Sequence, residues 1–274
     1  MNRRHMTAAG ALASCITAIA IATTSQATAV PTVTISGSET TGALVADLIY
    51  FYRRSVKRPP RFVLSQGGTP LGVSDAFRGV STIGLASRDR RDDDPAVLVF
   101  TPVARTAVCF ATNKANPVPT ITRADFQALA AGRLTSWAGF PGATSTGTIN
   151  AIGYPSGEGA QAVIERALLS PGTTFDAPLI RWQTSSQVRR AVLGSRNGLG
   201  WLDFAYRDGL NIPTLDGVPC SRDTIANGTY PAKRSLNFVT SGAPTGAAAK
   251  FITWTRTSRV AKRVVNTRYV SPAG

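Results

Sequence analysis

The chain has 274 residues, 43% of them hydrophobic and 16% charged. That is enough for two modest domains with real cores and too apolar for a disordered polymer. With 30 basic and 15 acidic residues the formal charge is +15, but the arginines are scattered (Arg53, Arg78, Arg105, Arg196, Arg259) and no basic cluster is interleaved with aromatics. The pattern excludes nucleic acid as the partner and favours a basic surface that gathers small anions.

In chain order, the N-terminus reads as an export signal. Arg3 and Arg4 precede an apolar stretch over 6–22, and Ala27-Thr28-Ala29 has the small-x-small form of a cleavage site. Cleavage after Ala29 is expected, with lipid attachment at Cys15 in Leu12-Ala13-Ser14-Cys15 as the alternative. Losing residues 1–29 removes Arg3, Arg4, the only His and one of 3 Cys, leaving 28 basic and 15 acidic groups, or +13. No later segment approaches the ~20 apolar residues of a membrane span, so a soluble periplasmic or secreted protein is expected. In that oxidising compartment Cys109 and Cys220 either pair or pack as small buried apolar groups.

Strand and helix patterns alternate from there. Residues 32–36 predict a strand, and 43–54 a helix with Leu44, Val45, Leu48, Ile49, Phe51 and Tyr52 on one face. A strand over 61–65 leads through Gly67-Gly68-Thr69-Pro70 into a short helix ending near Phe77. Strands follow at 81–86, 97–102 and 106–112, with 101–105 as a crossover. Thr122, with Asp125 three residues on and Gly132 as the stop, delimits a helix. A strand over 148–153 enters a helix through Tyr154-Pro155-Ser156-Gly157-Glu158-Gly159. A helix over 185–193, strands at 198–204 and 235–240, and helices at 244–256 and 258–266 complete the series. Alternation on this scale predicts two α/β lobes with mostly parallel sheets flanked by helices.

Three strand-to-helix loops are alike in being short, glycine-containing and rich in hydroxyls. They are Gly37-Ser38-Glu39-Thr40-Thr41, Gly67-Gly68-Thr69 and Ser156-Gly157-Glu158-Gly159. The first turn of a helix leaves N–H groups unpaired and partially positive, glycine lets backbone approach a ligand, and hydroxyls add donors. Ordinary capping explains any one such loop; three alike point to an anion site. An enzyme lacks its usual parts. Without His a Ser-His-Asp triad and a His-ligated metal are excluded from the mature chain, and neither a G-x-S-x-G elbow nor a phosphate loop of the G-x-x-x-x-G-K-[ST] type occurs. Asp92-Asp93-Asp94 are consecutive, so they do not face one point. A Ser-Lys or carboxylate-only phosphoester hydrolase is the remaining enzymatic alternative, and no cofactor or metal is expected.

Six segments in order resemble the phosphate-binding proteins of bacterial ABC transporters, within the type II periplasmic binding-protein superfamily. "ISGSETTGALVADLIYFY" is similar to the family's Gly-Ser-x-Thr loop and first helix, "STIGLASRD" to its "DIGxASR" strand, and "PVARTAVCFATNKANPVPTITRADFQALAAGRLTSW" to its crossover and "LTxxQLxxIFxGxxTxW" segment. "AIGYPSGEGAQAVIERALL" resembles "RxxxSGT" and its helix, "GLGWLDFAY" resembles "GAIGYVxxxY", and "NGTYPAKRSLNFVTSG" resembles "SGxYPLxRPLYxYT". The resemblance implies a periplasmic-binding-protein-like II fold: lobe 1 over 30–103 and 236–274, lobe 2 over 104–235, two hinge crossings, and a cleft between. It implies a monomer that captures phosphate or a related oxyanion and hands it to ABC permease subunits. The implied ligand set is Ser38, Thr40 or Thr41, Gly68, Thr69 and Ser87 from lobe 1, with Ser156 and Gly157 from lobe 2.

The departures are specific. Ile152 stands where the family has its Arg, Glu158 where it has a Thr, and Thr82 at the usual acidic position. Arg88 therefore either turns into the cleft as the cation, with Glu39 or Glu158 accepting the proton of monohydrogen phosphate, or pairs with Asp89, Asp92 or Asp93. Glu158 at a helix start also fits a carboxylate facing water. The alternative to an anion receptor is a divergent surface or interaction protein that has lost phosphate binding.

Overall fold

The β-branched run after Pro31 forms β1 (Thr32–Gly37), and Ser38 caps α1 (Glu39–Ser55), which buries Leu44, Val45, Leu48, Ile49 and Tyr52 on one stripe. The computed structural model describes residues 30–157 and 159–272. The export signal expected over 1–29 and the side chain of Glu158 lie outside the described residues. β2 (Arg61–Gln66), α2 (Gly68–Phe77) and β3 (Ile83–Ala86) follow α1. The long β4 (Leu98–Thr112) leads to β5 (Thr120–Ile121) and α3 (Arg123–Ala130). Then come β6 (Asn150–Gly153), α4 (Gly159–Leu168), β7 (Ile180–Arg181), α5 (Ser185–Leu193) and β8 (Gly198–Asp203). β9 (Thr214–Leu215), α6 (Arg222–Ala226), β10 (Lys233–Ser241), α7 (Gly246–Thr257) and α8 (Arg259–Arg268) complete the described chain.

Eight strands form one curled mixed sheet in the order β2-β1-β3-β10-β4-β8-β6-β7, and β5 pairs with β9. β1 is parallel to β2 and β3, and β6 is parallel to β7 and β8. The two mostly parallel sheets are thus two halves of one hydrogen-bonded surface, joined through antiparallel β10 and β4. The joint differs from the sequence expectation: the strands at 97–102 and 106–112 and the crossover between them are a single 15-residue strand. Its first part pairs with β10 and its last five residues, Val108–Thr112, pair with β8. Pro102 survives inside it at a bulge, where the register steps from Leu236↔Ala104 to Asn237↔Pro102 and skips Val103. A proline has no N–H for the ladder, and a bulge is where a sheet tolerates one.

Two hydrophobic cores flank this joint. Val33, Ile35, Leu48, Leu236, Phe238 and Phe251 belong to one, and Phe110, Phe126, Ile164, Val188 and Trp201 to the other. Along β4 the change falls between Ala104 and Ala107, and near β10 between Ala232 and Leu236. Cys109 in β4 and Cys220 before α6 are joined by a disulfide spanning 111 positions. The capping box at α3 is complete: Thr122 Oγ accepts from the Asp125 amide at 3.0 Å, and Asp125 accepts from the Thr122 amide at 2.8 Å. Short pieces such as β5, β7, β9 and α6 hold too few residues for periodicity to register. Among the described residues no helix is long and apolar enough to cross a membrane.

Candidate functional site

Four hydroxyl side chains on the first two loops and at the end of β3 are buried: Ser38, Thr41, Thr69 and Ser87 are each no more than 1% exposed. β1 delivers the first of them. Gly37 has φ +131°, and a Cβ there would sit 2.4 Å from the Leu85 carbonyl oxygen, so only glycine fits where β1 turns into α1. Ser38 donates its amide to that same oxygen at 3.1 Å, and its Oγ accepts from the Thr41 amide at 3.3 Å. This cap starts α1 at Glu39, four residues before the expected helix, which places Thr40 and Thr41 in the first turn. Thr41 donates to the Ala86 carbonyl at 3.2 Å, and Thr40 is half-buried.

The second loop meets the end of β3. Thr69 Oγ accepts from the Ser87 amide at 3.1 Å and lies 3.2 Å from Ser87 Oγ. The Gly68 amide is already engaged: it donates to Glu39 Oε1 at 3.1 Å. Glu39 therefore joins the starts of α1 and α2.

The second core presents the first turn of α4 to these hydroxyls. A Cβ on Gly159 would lie 2.3 Å from Ser87 Oγ and 2.9 Å from Thr69 Oγ, so α4 reaches this position only because Gly159 has no side chain. The approach is fixed from behind. Gln161 is buried and accepts from Trp201 Nε1 at 2.9 Å and from the Tyr154 amide at 3.2 Å, while Trp201 lies against Gly153, filling the space a Cβ would need. Ser156 and Gly157 are solvent-exposed. Ile152 is in the core at 1% exposure.

Arg88 does not enter this cluster. It makes a bidentate pair with Asp94 at 2.7 Å for both bonds, and Nη1 also donates to the Asp89 carbonyl at 3.0 Å. The partner is neither Asp89, Asp92 nor Asp93 by side chain, because the turn in which the Asp94 amide donates to the Arg91 carbonyl brings Asp94 back to Arg88. Burial alone would raise the Asp94 carboxyl, but hydrogen bonds from Arg88 and the Arg91 amide, with the charges of both arginines, hold it below the ordinary aspartate value. A depressed folded pKa contributes stability above the unfolded value, lost as pH falls through the folded one. Unfolding of Asp94→Asn and of the parent should therefore differ most near neutrality and converge as pH drops below about 4; a difference unchanged down to acid pH would remove this linkage.

A different guanidinium does touch the cluster. Arg234 in β10 has a side chain 1% exposed; its Nη1 donates to Ser87 O at 3.1 Å and to Ser87 Oγ at 3.2 Å, and its Nη2 donates to Asp203 at 2.9 Å. Asp203 also accepts from Thr106 Oγ at 3.0 Å and from the Ala205 amide at 3.0 Å. Arg234 Nε is buried with no hydrogen-bond partner. In the sequence Arg234 stands only as part of the crossing in "YPAKR", and sequence reasoning gave it no role. The signal available is a basic pair, Lys233-Arg234, opening a strand with no further charge, and a lone Asp closing "GLGWLD". Among the described residues no group of His, Cys, Asp and Glu is arranged to hold a metal ion.

The arrangement is one of hydroxyls and helix starts around a buried cation, with no nucleophile–base pair among its members. Against known proteins, the model of the PBP superfamily domain matches residues 22–259. The phosphate-binding protein PstS of Bacillus subtilis is 24% identical over 204 residues, 73% of this chain and 67% of the relative. PstS of Borreliella burgdorferi is 22% identical over 220 residues, covering 76% and 78%. A Clostridium perfringens structure solved with bound phosphate aligns with TM-score 0.79 at 23% identity, over 89% of this chain and 100% of the other. An ABC-type phosphate transport receptor from Vibrio cholerae aligns with TM-score 0.73 at 19% identity, over 88% and 100%.

Proposed function

Because the chain belongs to the PBP superfamily, we propose that it is an exported solute-binding protein that captures phosphate or a similar inorganic oxyanion for an ABC importer. The carrying observation is the meeting of Thr69 and Ser87 with Gly159 at the start of α4, beside the buried Arg234. Two relatives are named phosphate-binding proteins, and the separation of the two cores along β4 and β10 supports a division into lobes over 30–103 with 236–274 and over 104–235. In this reading Ser38, Thr41, Thr69 and Ser87 bind from the first lobe. The second lobe contributes the main chain at the start of α4, and Arg234 supplies the charge that the family takes from the position of Ile152. Helix N–H groups and hydroxyls hold a small anion without a cation in direct contact, and excluding water strengthens each of those bonds.

Calorimetry of residues 30–274 with phosphate, sulfate and a phosphoester tests the assignment. Saturable phosphate binding without ester hydrolysis is expected. Thr69→Ala combined with Ser87→Ala should weaken it about 100-fold, at roughly 1–2 kcal/mol per lost hydrogen bond; Ser156→Ala should change it little. An equal effect of Ser156→Ala would move the site to the exposed loop. Heat from none of these ions would favour the second reading, a surface protein that no longer binds phosphate. That reading draws on Ile152 in the core and Arg88 locked to Asp94.

A further inference from the structure

A cavity of about 150 Å³ opens between the turn after β3, one side of α4 and the start of β10. Its charged lining is dominated by cations. Arg91 comes from the turn, Arg166 from α4 and Lys233 from β10, while Arg88 is already neutralised by Asp94. Asp89 is the one carboxylate in the lining.

Among the described residues, the side chains of Arg91, Arg166 and Lys233 make no ion pair and no hydrogen bond; the Arg91 contact to Asp94 runs through its amide. Nε of Arg91 is buried with no partner. Burial, and then the charges of Arg88 and Arg166, hold the Arg91 guanidinium below its ordinary pKa despite the opposing pull of Asp93 and Asp94. The nearest acid along α4, Glu165, is engaged by Gln161 Nε2 at 2.8 Å. Three cations without an ion-pair partner, two of them exposed at Arg166 and Lys233, and one orphaned buried donor line a half-open cavity in which Asp89 is the single carboxylate.

Helical spacing locates this cavity relative to the hydroxyl cluster. Gly159, Ala162, Val163, Arg166 and Ala167 recur at intervals of three and four residues and so lie on one stripe of α4. Gly159 touches Thr69 and Ser87, and Arg166 is about 10 Å farther along the helix at 1.5 Å per residue. The cavity adjoins the cluster at Arg88, Ala162 and Val163, and its Arg166 end is offset from the hydroxyls along α4. Ala162 and Ala167 leave it room, and its volume suits a small ion and not a nucleotide or a peptide.

We propose that Arg91, Arg166 and Lys233 form a second anion site, which takes one multiply charged inorganic oxyanion of the phosphate class. The bound ion joins the turn after β3 and the start of β10 to α4, so it ties the two cores together at a point away from Thr69 and Ser87. Its affinity depends on formal charge, and so it falls steeply with added salt. The hydroxyl cluster, whose donors and Arg234 are buried, is far less salt-dependent.

The test is equilibrium dialysis of residues 30–274 against inorganic phosphate at low and at moderate ionic strength. Two ions per chain are expected, the weaker class disappearing with salt. In R91Q/R166Q the weaker class should fall by about tenfold per guanidinium, as for the loss of a charge-assisted hydrogen bond, while the tighter class stays. R166Q alone, at an exposed position, gives the same reading if the double variant folds poorly. A salt-sensitive class that is missing from the wild-type chain, or one that survives R166Q unchanged, overturns the proposal. Loss of the tighter class in the parent, with the Arg-dependent class retained, would instead overturn the function proposed above and leave this site standing.

Discussion

Replacing Arg234 by Met should lower the unfolding free energy by about 3–5 kcal/mol, the usual consequence of leaving one partner of a buried ion pair alone. Asp203 is 0% exposed, so without the guanidinium its charge has only the Thr106 hydroxyl and the Ala205 amide as donors. The loss is electrostatic more than steric, because Met fills most of the volume. Asp203→Asn in the same chain should therefore recover more than half of the deficit, since the amide oxygen still accepts from Ala205. Urea unfolding of the parent, both single variants and the double variant measures this as a coupling of about 2 kcal/mol or more. If Arg234→Met cost under about 1 kcal/mol, the pair would behave as a surface ion pair, and the burial argument would be wrong.

Removing the Cys109–Cys220 disulfide should cost on the order of 4 kcal/mol. The bond closes a segment of 111 residues, and in the chain-entropy account long loops gain most from closure. Cys109 is 0% and Cys220 8% exposed, so Cys→Ala at both sites takes away little packing volume and the effect falls mainly on the unfolded chain. Cys109 stands opposite Leu202 in the β4–β8 ladder, which puts the tether in the sheet half of the second core. Reductant added to the parent should lower the urea midpoint to that of the double Ala variant. A midpoint insensitive to both changes would show that the bond adds nothing to stability.

What can be read from the sequence follows from how local each determinant is. The α1 stripe from Leu44 to Tyr52 and the Thr122–Asp125 box depend on residues three and four apart, and both are legible. Gly37, Thr69 and Gly159 stand out as loop chemistry, but that Gly159 presses on Ser87 is a fact of two segments 72 positions apart. The partner of Arg88 is hidden because four aspartates follow it within six residues, and only the turn through Arg91 selects Asp94. Arg234 escapes notice for a related reason: its partners Ser87 and Asp203 are 147 and 31 positions away. A strand with Pro102 in it reads as two strands because the bulge that accommodates the proline belongs to the pairing with β10 and not to β4 alone.

The unbroken course of β4 has a mechanical consequence. Its start is laced to β10 and its end to β8, so neither core hangs from a slack tether. Any swing of one core against the other would bend or twist a paired ribbon and not a free linker, so the direction of travel is set by the ladder itself.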